Sequence, residues 1–155
     1  MQLSLQRPLV VLDFESTGLN PRYDRIVEIG ALKVHPGGHE ESFRRLVNPE
    51  RPIPQATTDI HGISDDQVAE APTFRDLADD FLAFIKGADL AGFGIEAYDL
   101  PLLCAEFARV GIGFHADAVH VVDAKNIFHR KEPRTLSAGL KFYCDEEHTE
   151  AHGAF

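Results

Sequence analysis

Residues Pro8 to Leu19, PLVVLDFESTGL, are the part of the sequence that decides the fold. Four apolar residues, Leu9 to Leu12, predict a buried strand that runs directly into Asp13 and Glu15. Because side chains alternate along a strand, both carboxylates point to the same face. Two like charges at the end of a buried strand repel each other and lose hydration, so the pair favours a bound cation. Hard oxygen ligands of this kind suit Mg²⁺ or Mn²⁺.

The residues that follow the acidic pair form a turn rich in hydroxyl groups and glycine, from Ser16 to Pro21. A bare Asp-x-Glu pair is more often a solvated strand end than a metal site, so this context matters. Such a turn brings backbone N–H groups close to a phosphate or a sugar. The turn therefore favours a functional site at the end of the first strand.

Length and composition predict one globular domain with a single core. The chain has 155 residues, of which 44% are hydrophobic and 26% are charged, as in ordinary soluble domains. No apolar run approaches the roughly 20 residues that span a bilayer, and the N-terminus lacks a secretory signal. We therefore expect a cytoplasmic protein without membrane association, in which Cys104 and Cys144 are reduced thiols.

The formal net charge of −10 restricts the contacts that the chain can make with nucleic acid. A broad electrostatic clamp on a duplex is normally basic, so none is expected here. A small metal-filled site that grips a few phosphates stays compatible with this charge. Clustered carboxylates at such a site add to the acidity, and the bound cations offset them.

The apolar pattern predicts three early strands followed by alternating helices and strands. Strands are predicted at about 8–13, 25–34, 42–47, 90–93 and 119–122, and helices at 57–62, 73–87, 99–110 and 136–143, with a further helix start at 64–67. Pro36-Gly37-Gly38 is predicted to form the hairpin turn between the second and third strands. This order indicates an α/β fold with a mixed sheet. In such sheets functional residues collect at strand ends and helix starts.

Two downstream features add candidate chemistry. Asp99 follows a short strand and begins a helix, where an acidic residue often serves only as a cap or favours the helix dipole. His152 lies near the end of the chain, where a lone histidine is most often simply exposed. Taken alone, each feature has an ordinary structural explanation.

Taken together and in this order, the features resemble the DEDD 3′–5′ exonucleases of the histidine subtype. The resemblance runs along essentially the whole chain and rests on Asp13–Leu19, Asp24–Gly30, Ile60–Ile63, Tyr98–Leu103, Val122-Asp123, Leu136 and His152. The sequence departs from the family pattern at Ser16, where threonine is commoner. It departs again at Gly94 and Ile95, where the family often carries an asparagine.

The resemblance implies an RNase H-like fold, with a central mixed five-stranded sheet flanked by helices. It also implies two ions, Mg²⁺ or Mn²⁺, about 4 Å apart, held by Asp13, Glu15 and Asp99. His152 would be the general base that takes a proton from the attacking water. The implied substrate-binding residues are Phe14, Thr17, Gly18, Leu19, His61 and Tyr98.

The implied reaction is hydrolysis of the terminal phosphodiester bond with release of a nucleoside 5′-monophosphate. The acidic charge favours single-stranded or frayed 3′ ends, held over a few nucleotides, with DNA favoured over RNA. The expected partners are this nucleic acid and a DNA polymerase or repair complex, in a proofreading or repair role. Phe14 and Tyr98 are candidate stacking surfaces, whereas core packing is the better interpretation of Phe93.

The family's fourth carboxylate follows its histidine by five positions, which falls past Phe155 in this sequence. We therefore expect residues 1–155 to form a single exonuclease domain that lacks the end of its last helix. Because that carboxylate helps to hold an ion in the family, the chain as given is expected to be weakly active or inactive.

Two other interpretations stay open. A non-cleaving module of the same fold would hold a nucleic-acid end without cutting it, and the missing carboxylate motivates this alternative. A zinc protein would use His148 and His152, four residues apart on one helical face, with Asp145 and Cys144 nearby. The sequence offers no second ligand cluster to complete such a zinc site.

Overall fold

The structure is a computed structural model that describes residues 4–132 and residue 141 of the chain. The strands are β1 (Leu9–Ser16), β2 (Ile26–Val34), β3 (Glu40–Leu46), β4 (Asp89–Gly92) and β5 (Val121–Asp123). The helices are α1 (Gln55–His61), α2 (Asp65–Val68), α3 (Phe74–Ile85), α4 (Asp99–Arg109) and α5 (Ala124–Lys131), with a single 3₁₀ turn at Ala116–Ala118 in the described residues.

β1 is the central strand of one mixed sheet with the order β3-β2-β1-β4-β5. β1 pairs with β2 and β2 with β3 in antiparallel fashion, as expected for strands that follow one another along the chain. β4 and β5 join the other side of β1 in parallel. Parallel neighbours need crossover connections, which contain α3 before β4 and α4 before β5. The predicted α/β fold with a mixed five-stranded sheet is confirmed.

The core lies against one face of β1. Val10, Leu12 and Phe14 are buried, whereas the residues between them point to the open face. α3 covers the buried face with an apolar stripe, and its first turn is held by a reciprocal capping box between Thr73 and Asp76. The alternation along β1 therefore separates the core from the acids.

Two elements differ from the sequence-based prediction. β1 continues to Ser16 instead of ending near position 13, because its pairing with β2 extends through Glu15 and Glu28. α5 was not predicted, since its apolar residues Ile127 and Phe128 are both about half exposed and form no inward stripe. The predicted helix at 136–143 falls outside the described residues except at position 141.

The last residue of β4, Gly92, lies in close contact with its surroundings. The β1–β4 pairing ends at Val11 and Ala91, and Gly92 then brings the backbone close to its neighbours. A Cβ at Gly92 would lie 2.2 Å from Cγ2 of Ile95 and 2.7 Å from the carbonyl oxygen of Leu12. Ile95 is 1% exposed, so the residue that departs from the family pattern is a core residue here.

The chain divides into two compact units, Met1–Ala124 and Lys125–Phe155. The whole sheet and helices α1 to α4 belong to the first unit. None of the described helices combines the length and the apolar character that a membrane crossing requires.

Replacing Gly92 by alanine is expected to destabilise the fold. The added methyl group overlaps Ile95 and the backbone of Leu12, so the loss of unfolding free energy should be about 3 kcal/mol, the upper end for overpacking. Urea denaturation measures this loss. The matched control is Gly37→Ala, where nothing lies within 4 Å of the added Cβ and the expected change is under about 0.5 kcal/mol. Equal stability of both variants would contradict the close approach at Gly92.

Candidate active site

The two acids of β1 lie on the open face of the sheet. Asp13 is exposed and Glu15 is partly buried, whereas Leu12 and Phe14 face the core. Burial is the main reason that the pKa of Glu15 is raised, and the charge of Asp13 raises it further. The same pKa is lowered by His61, which therefore acts on the same carboxylate. The first strand thus presents two interacting carboxylates to one side.

Asp99 reaches the same acids from the start of α4. Its side chain is 7% exposed, and its Oδ1 accepts a hydrogen bond from the backbone N–H of Phe14 at 3.2 Å. The pKa of Asp99 is raised to about 6, mainly by burial and further by the charges of Asp13 and Glu15. The structure therefore brings together the three carboxylates that the sequence analysis grouped.

The segment between β4 and α4 is held by Asp123 at the end of β5. Its buried carboxylate accepts the N–H of Gly94 at 2.8 Å and that of Glu96 at 3.3 Å. These bonds fix the backbone that leads into Asp99. The position of Asp99 therefore depends on Asp123, which lies at the end of β5.

Tyr98 ties the start of α4 to the turn that follows β1. Its hydroxyl group bonds to Oγ of Ser16 at 2.6 Å and donates to the carbonyl oxygen of Gly18. Oγ of Ser16 also lies 2.8 Å from Gly18 O, so its single proton serves either Gly18 or Tyr98. Burial raises the pKa of the Tyr98 hydroxyl. Tyr98 was predicted as a substrate-binding or stacking residue, and the structure adds that its hydroxyl is committed to the turn.

The turn itself is built around Asp24. Thr17 is 2% exposed and donates from Oγ1 to Asp24 Oδ1 at 2.8 Å. The other carboxylate oxygen of Asp24 accepts the N–H of Asn20 at 2.8 Å, and it would lie 2.7 Å from a Cβ at Gly18. Leu19 is 89% exposed. Of the predicted substrate residues in this turn, Leu19 offers its side chain to a ligand, whereas Thr17 braces the turn.

A buried ion pair anchors the far end of the turn. Glu106 in α4 is 0% exposed, and its Oε1 accepts hydrogen bonds from Nε of Arg25 at 2.8 Å and from the N–H of Ile26 at 3.1 Å. Arg109 lies 3.3 Å from the same oxygen and donates to the carbonyl of Asp24. Removing one partner of such a network leaves a buried charge uncompensated. Through Glu106 and Arg109, α4 therefore holds the end of the turn that leads into β2.

His61 ends α1 on the Glu15 side of the site. Its Nδ1 accepts the N–H of Ile63 at 3.0 Å, which places the ring proton of the neutral imidazole on Nε2. Nε2 is buried and has no hydrogen-bond partner among the described residues. His61 therefore presents a donor that the surrounding protein leaves unused.

Two aromatic residues differ from their predicted places. The ring of Phe14 is 6% exposed and packs against Phe81 in the core, so this residue contributes its backbone N–H and not a stacking surface. Phe93 was expected in the core, but its side chain is 69% exposed. The chain leaves the sheet after Gly92, and Ile95 occupies the inward position in place of Phe93.

The three acids fit a divalent cation in chemistry but do not form a complete ligand cage. Within the described residues, no group of three His, Cys, Asp or Glu side chains converges closely enough to hold a metal ion. Asp13, Glu15 and Asp99 are nevertheless hard oxygen donors, and burial together with the charges of the neighbouring acids raises the pKa values of Glu15 and Asp99. A divalent cation relieves the repulsion between these charges, and Mg²⁺ and Mn²⁺ prefer such donors.

Several predicted residues lie outside the part of the chain that the structure describes. His152, the predicted general base, is one of them. The residues of the alternative zinc site, Cys144, Asp145 and His148, are outside it as well. Their roles stay predictions.

Sequence reasoning missed the acids that brace the site. Asp24 and Asp123 lay within quoted motifs but received no role, and Glu106 received none either. Their partners are distant in the sequence, as in the bond between Ile26 and Glu106, 80 residues apart. The one available signal was the presence of single acids within otherwise apolar segments, such as Glu106 beside Phe107.

One protein-family model matches nearly the whole chain. The RNase_T model, which describes an exonuclease, matches residues 10–155. The DNA polymerase III subunit epsilon of Rickettsia felis is 34% identical over 155 residues, covering 94% of this chain and 66% of that protein. The PolC-type DNA polymerase III of Oceanobacillus iheyensis is 32% identical over 148 residues, covering 94% of this chain and 10% of that protein. The chain thus spans no more than about two thirds of these relatives.

Solved structures share the fold. Escherichia coli exonuclease I in complex with a dT13 oligonucleotide has a TM-score of 0.73 and 14% identity, over 83% of this chain and 30% of that one. Exonuclease I of Methylocaldum szegediense has a TM-score of 0.70 and 16% identity, over 79% and 28% of the two chains. The predicted RNase H-like fold is therefore confirmed.

Replacing Asp99 by asparagine is expected to stabilise the protein when divalent cations are removed by a chelator. A carboxyl group whose folded pKa of about 6 exceeds its unfolded value weakens folding at higher pH, because only the folded state must bury the charge. The unfolding free energy should rise by about 1–3 kcal/mol near neutral pH and by almost nothing at about pH 3, where the carboxyl group is protonated in both the folded and the unfolded state.

Urea denaturation of this variant at the two pH values measures the effect. The asparagine keeps an acceptor for the N–H of Phe14, so the comparison isolates the charge. Asp80→Asn, at an exposed position of α3, is the control and should change little at either pH. A loss of stability in Asp99→Asn near neutral pH would show that the Asp99 carboxylate is favoured in the folded protein.

Proposed function

This chain belongs to the RNase_T exonuclease family, and from that membership we propose that it is a metal-dependent 3′–5′ exonuclease. It hydrolyses phosphodiester bonds at single-stranded or frayed 3′ ends, with DNA favoured over RNA, and releases nucleoside 5′-monophosphates. The observation that carries the proposal is that Asp13 and Glu15 share one face of β1 while the buried carboxylate of Asp99, bonded to the N–H of Phe14 between them, interacts electrostatically with both.

Asp13, Glu15 and Asp99 would hold the divalent ions. When bound, two Mg²⁺ or Mn²⁺ ions supply an activated water and stabilise the leaving 3′-oxygen. The buried position of Asp99 and its bond to the N–H of Phe14 keep its carboxylate fixed beside β1. A rigid acid of this kind orients its ligand without first losing side-chain freedom.

His152 acts as the general base in this proposal. An imidazole that is neutral near physiological pH accepts the proton of the attacking water. The assignment follows from the family motif alone, because His152 lies outside the described residues.

The turn after β1 receives the terminal nucleotide. Leu19 is exposed at its tip, and Gly18 and Ser16 are held by the hydroxyl of Tyr98. His61 faces the same acids with an unused Nε2 donor. In this proposal the exposed side chain of Leu19 and the braced backbone of the turn contact the sugar and base of the terminal nucleotide.

The relatives support DNA as the polymer and a polymerase as the partner. One relative is a subunit of DNA polymerase III, and one structure of the same fold contains a DNA oligonucleotide. The net charge of −10 supports a short footprint on a single strand and not a long duplex contact.

Asp13→Ala is expected to abolish cleavage in the full-length protein. The assay follows a single-stranded DNA and a matched RNA, each labelled at the 5′ end, for progressive shortening in the presence of Mg²⁺ or Mn²⁺. Loss of one central ion ligand should slow the reaction by at least about 100-fold, without loss of folding. Asp80→Asn is the control. Near-normal cleavage by Asp13→Ala would contradict the metal assignment, and binding of the 3′ end without cleavage by the unmodified protein would favour the non-cleaving module.

His152→Ala is expected to slow turnover by roughly 10²–10⁴-fold, the usual contribution of a positioned general base. Binding of the oligonucleotide, followed by fluorescence anisotropy, should change little because the base acts on water. An unchanged turnover number would contradict the assignment of His152 as the general base, and His148 would be the next candidate to be substituted.

A further inference from the structure

A groove beside the acids contains one basic residue. The groove has a volume of about 420 Å³ and runs across the open face of β1, β2 and β3. Asp13, Glu15, Glu28 and Arg44 are the charged residues that line it, so Arg44 is the only basic side chain in its described lining. The catalytic roles proposed above leave this arginine unused.

Asp13 and Arg44 stand in one row across the sheet. Asp13 pairs with Gly30 between β1 and β2, and Gly30 pairs with Arg44 between β2 and β3. Residues paired directly across strands project to the same face, and two strand spacings separate their Cα atoms by about 10 Å. Gly30 carries no side chain, so nothing at this position stands between the acid and the arginine.

The guanidinium group of Arg44 is held but keeps free donors. Its Nε donates to Oε1 of Glu28 at 2.7 Å, and its side chain is 79% exposed. The two terminal nitrogens have no partner among the described residues. Glu28 in turn stands directly across from Glu15. The ion pair therefore holds Arg44 at the groove that contains the acids and leaves its two terminal nitrogens, which suit phosphate oxygens, available to a ligand.

A basic side chain in the groove offsets part of its negative charge. Three carboxylates line it, and a nucleic-acid strand that enters it brings further negative charge with each phosphate. Ions that Asp13 and Glu15 would hold would balance charge at the reacting phosphate only. The next phosphates along the strand need a separate cation, and Arg44 is placed on the same face.

We propose that Arg44 binds a backbone phosphate of the substrate strand, within about three nucleotides of the bond that is cut. The Cα atoms of Asp13 and Arg44 are about 10 Å apart, which corresponds to at most about three nucleotides of a stacked strand with an axial rise of about 3.4 Å per nucleotide. The proposal rests on the proposed exonuclease function, because that function brings a strand into this groove.

The experiment compares two substrates with Arg44→Ala in the full-length protein. One substrate is a single-stranded DNA oligonucleotide, and the other is the p-nitrophenyl ester of thymidine 5′-monophosphate, which contains a single phosphate. The ratio of kcat/KM for the oligonucleotide to kcat/KM for the ester is expected to fall about tenfold, the effect of one charge-assisted hydrogen bond. The slope of log kcat/KM for the oligonucleotide against log salt concentration should become shallower by about 0.7.

Arg45→Ala is the matched control. Arg45 is the next residue on β3 and points to the other face, with its guanidinium over the ring of Phe43 at 5.2 Å. Its substitution removes the same charge and should leave the substrate ratio unchanged. Equal effects of the two substitutions, or an equal loss of both activities in Arg44→Ala, would overturn the proposed phosphate contact.

Failure of the exonuclease function and failure of the Arg44–phosphate contact give different results. If the unmodified protein hydrolyses neither substrate, the exonuclease function fails. Fluorescence anisotropy with the same oligonucleotide then decides the role of Arg44. About tenfold weaker binding in Arg44→Ala than in Arg45→Ala supports the phosphate contact, and equal binding overturns it.

Discussion

The hydrogen bond from the backbone N–H of Phe14 to the carboxylate of Asp99 is the contact on which the site depends. Phe14 stands between Asp13 and Glu15 in β1, so its N–H directs Asp99 toward those two acids. β4 ends its pairing with β1 at Val11, and Asp99 takes over a backbone donor that the sheet would otherwise leave unpaired. A buried donor of this kind is costly when it has no partner, which makes the placement of Asp99 a consequence of the fold.

The buried position that this contact fixes has an electrostatic cost, although the hydrogen bond itself lowers the pKa of Asp99. Asp99 is buried beside two other acids, and its pKa rises to about 6. The fold tolerates this cost because Asp123, Tyr98 and Glu106 fix the surrounding backbone through hydrogen bonds of their own. Acids with raised pKa values that a rigid surrounding structure holds close together are typical of functional sites, and a bound cation would relieve their repulsion.

The sequence predicted what depends on local periodicity. Alternation along β1 placed Asp13 and Glu15 on one face, because a period of two is a property of any strand. The bond between Phe14 and Asp99 joins residues 85 positions apart, and the row from Asp13 to Arg44 depends on strand order and register, which no local pattern encodes. Phe93 was misplaced for a related reason, since the chain leaves the sheet after Gly92 and the alternation ends there.

The central claim is that Asp13, Glu15 and Asp99 act together as one cation site. Calorimetric titration of Mn²⁺ into the full-length protein, with Asp13→Asn and Asp99→Asn beside it, tests this claim most directly. The account predicts binding to the unmodified protein and at least about tenfold weaker binding to each variant, the usual cost of losing part of a metal site. Binding of Mn²⁺ with the same affinity to Asp99→Asn would contradict this claim. Asp99 would then lie near Asp13 and Glu15 without contributing to the cation site.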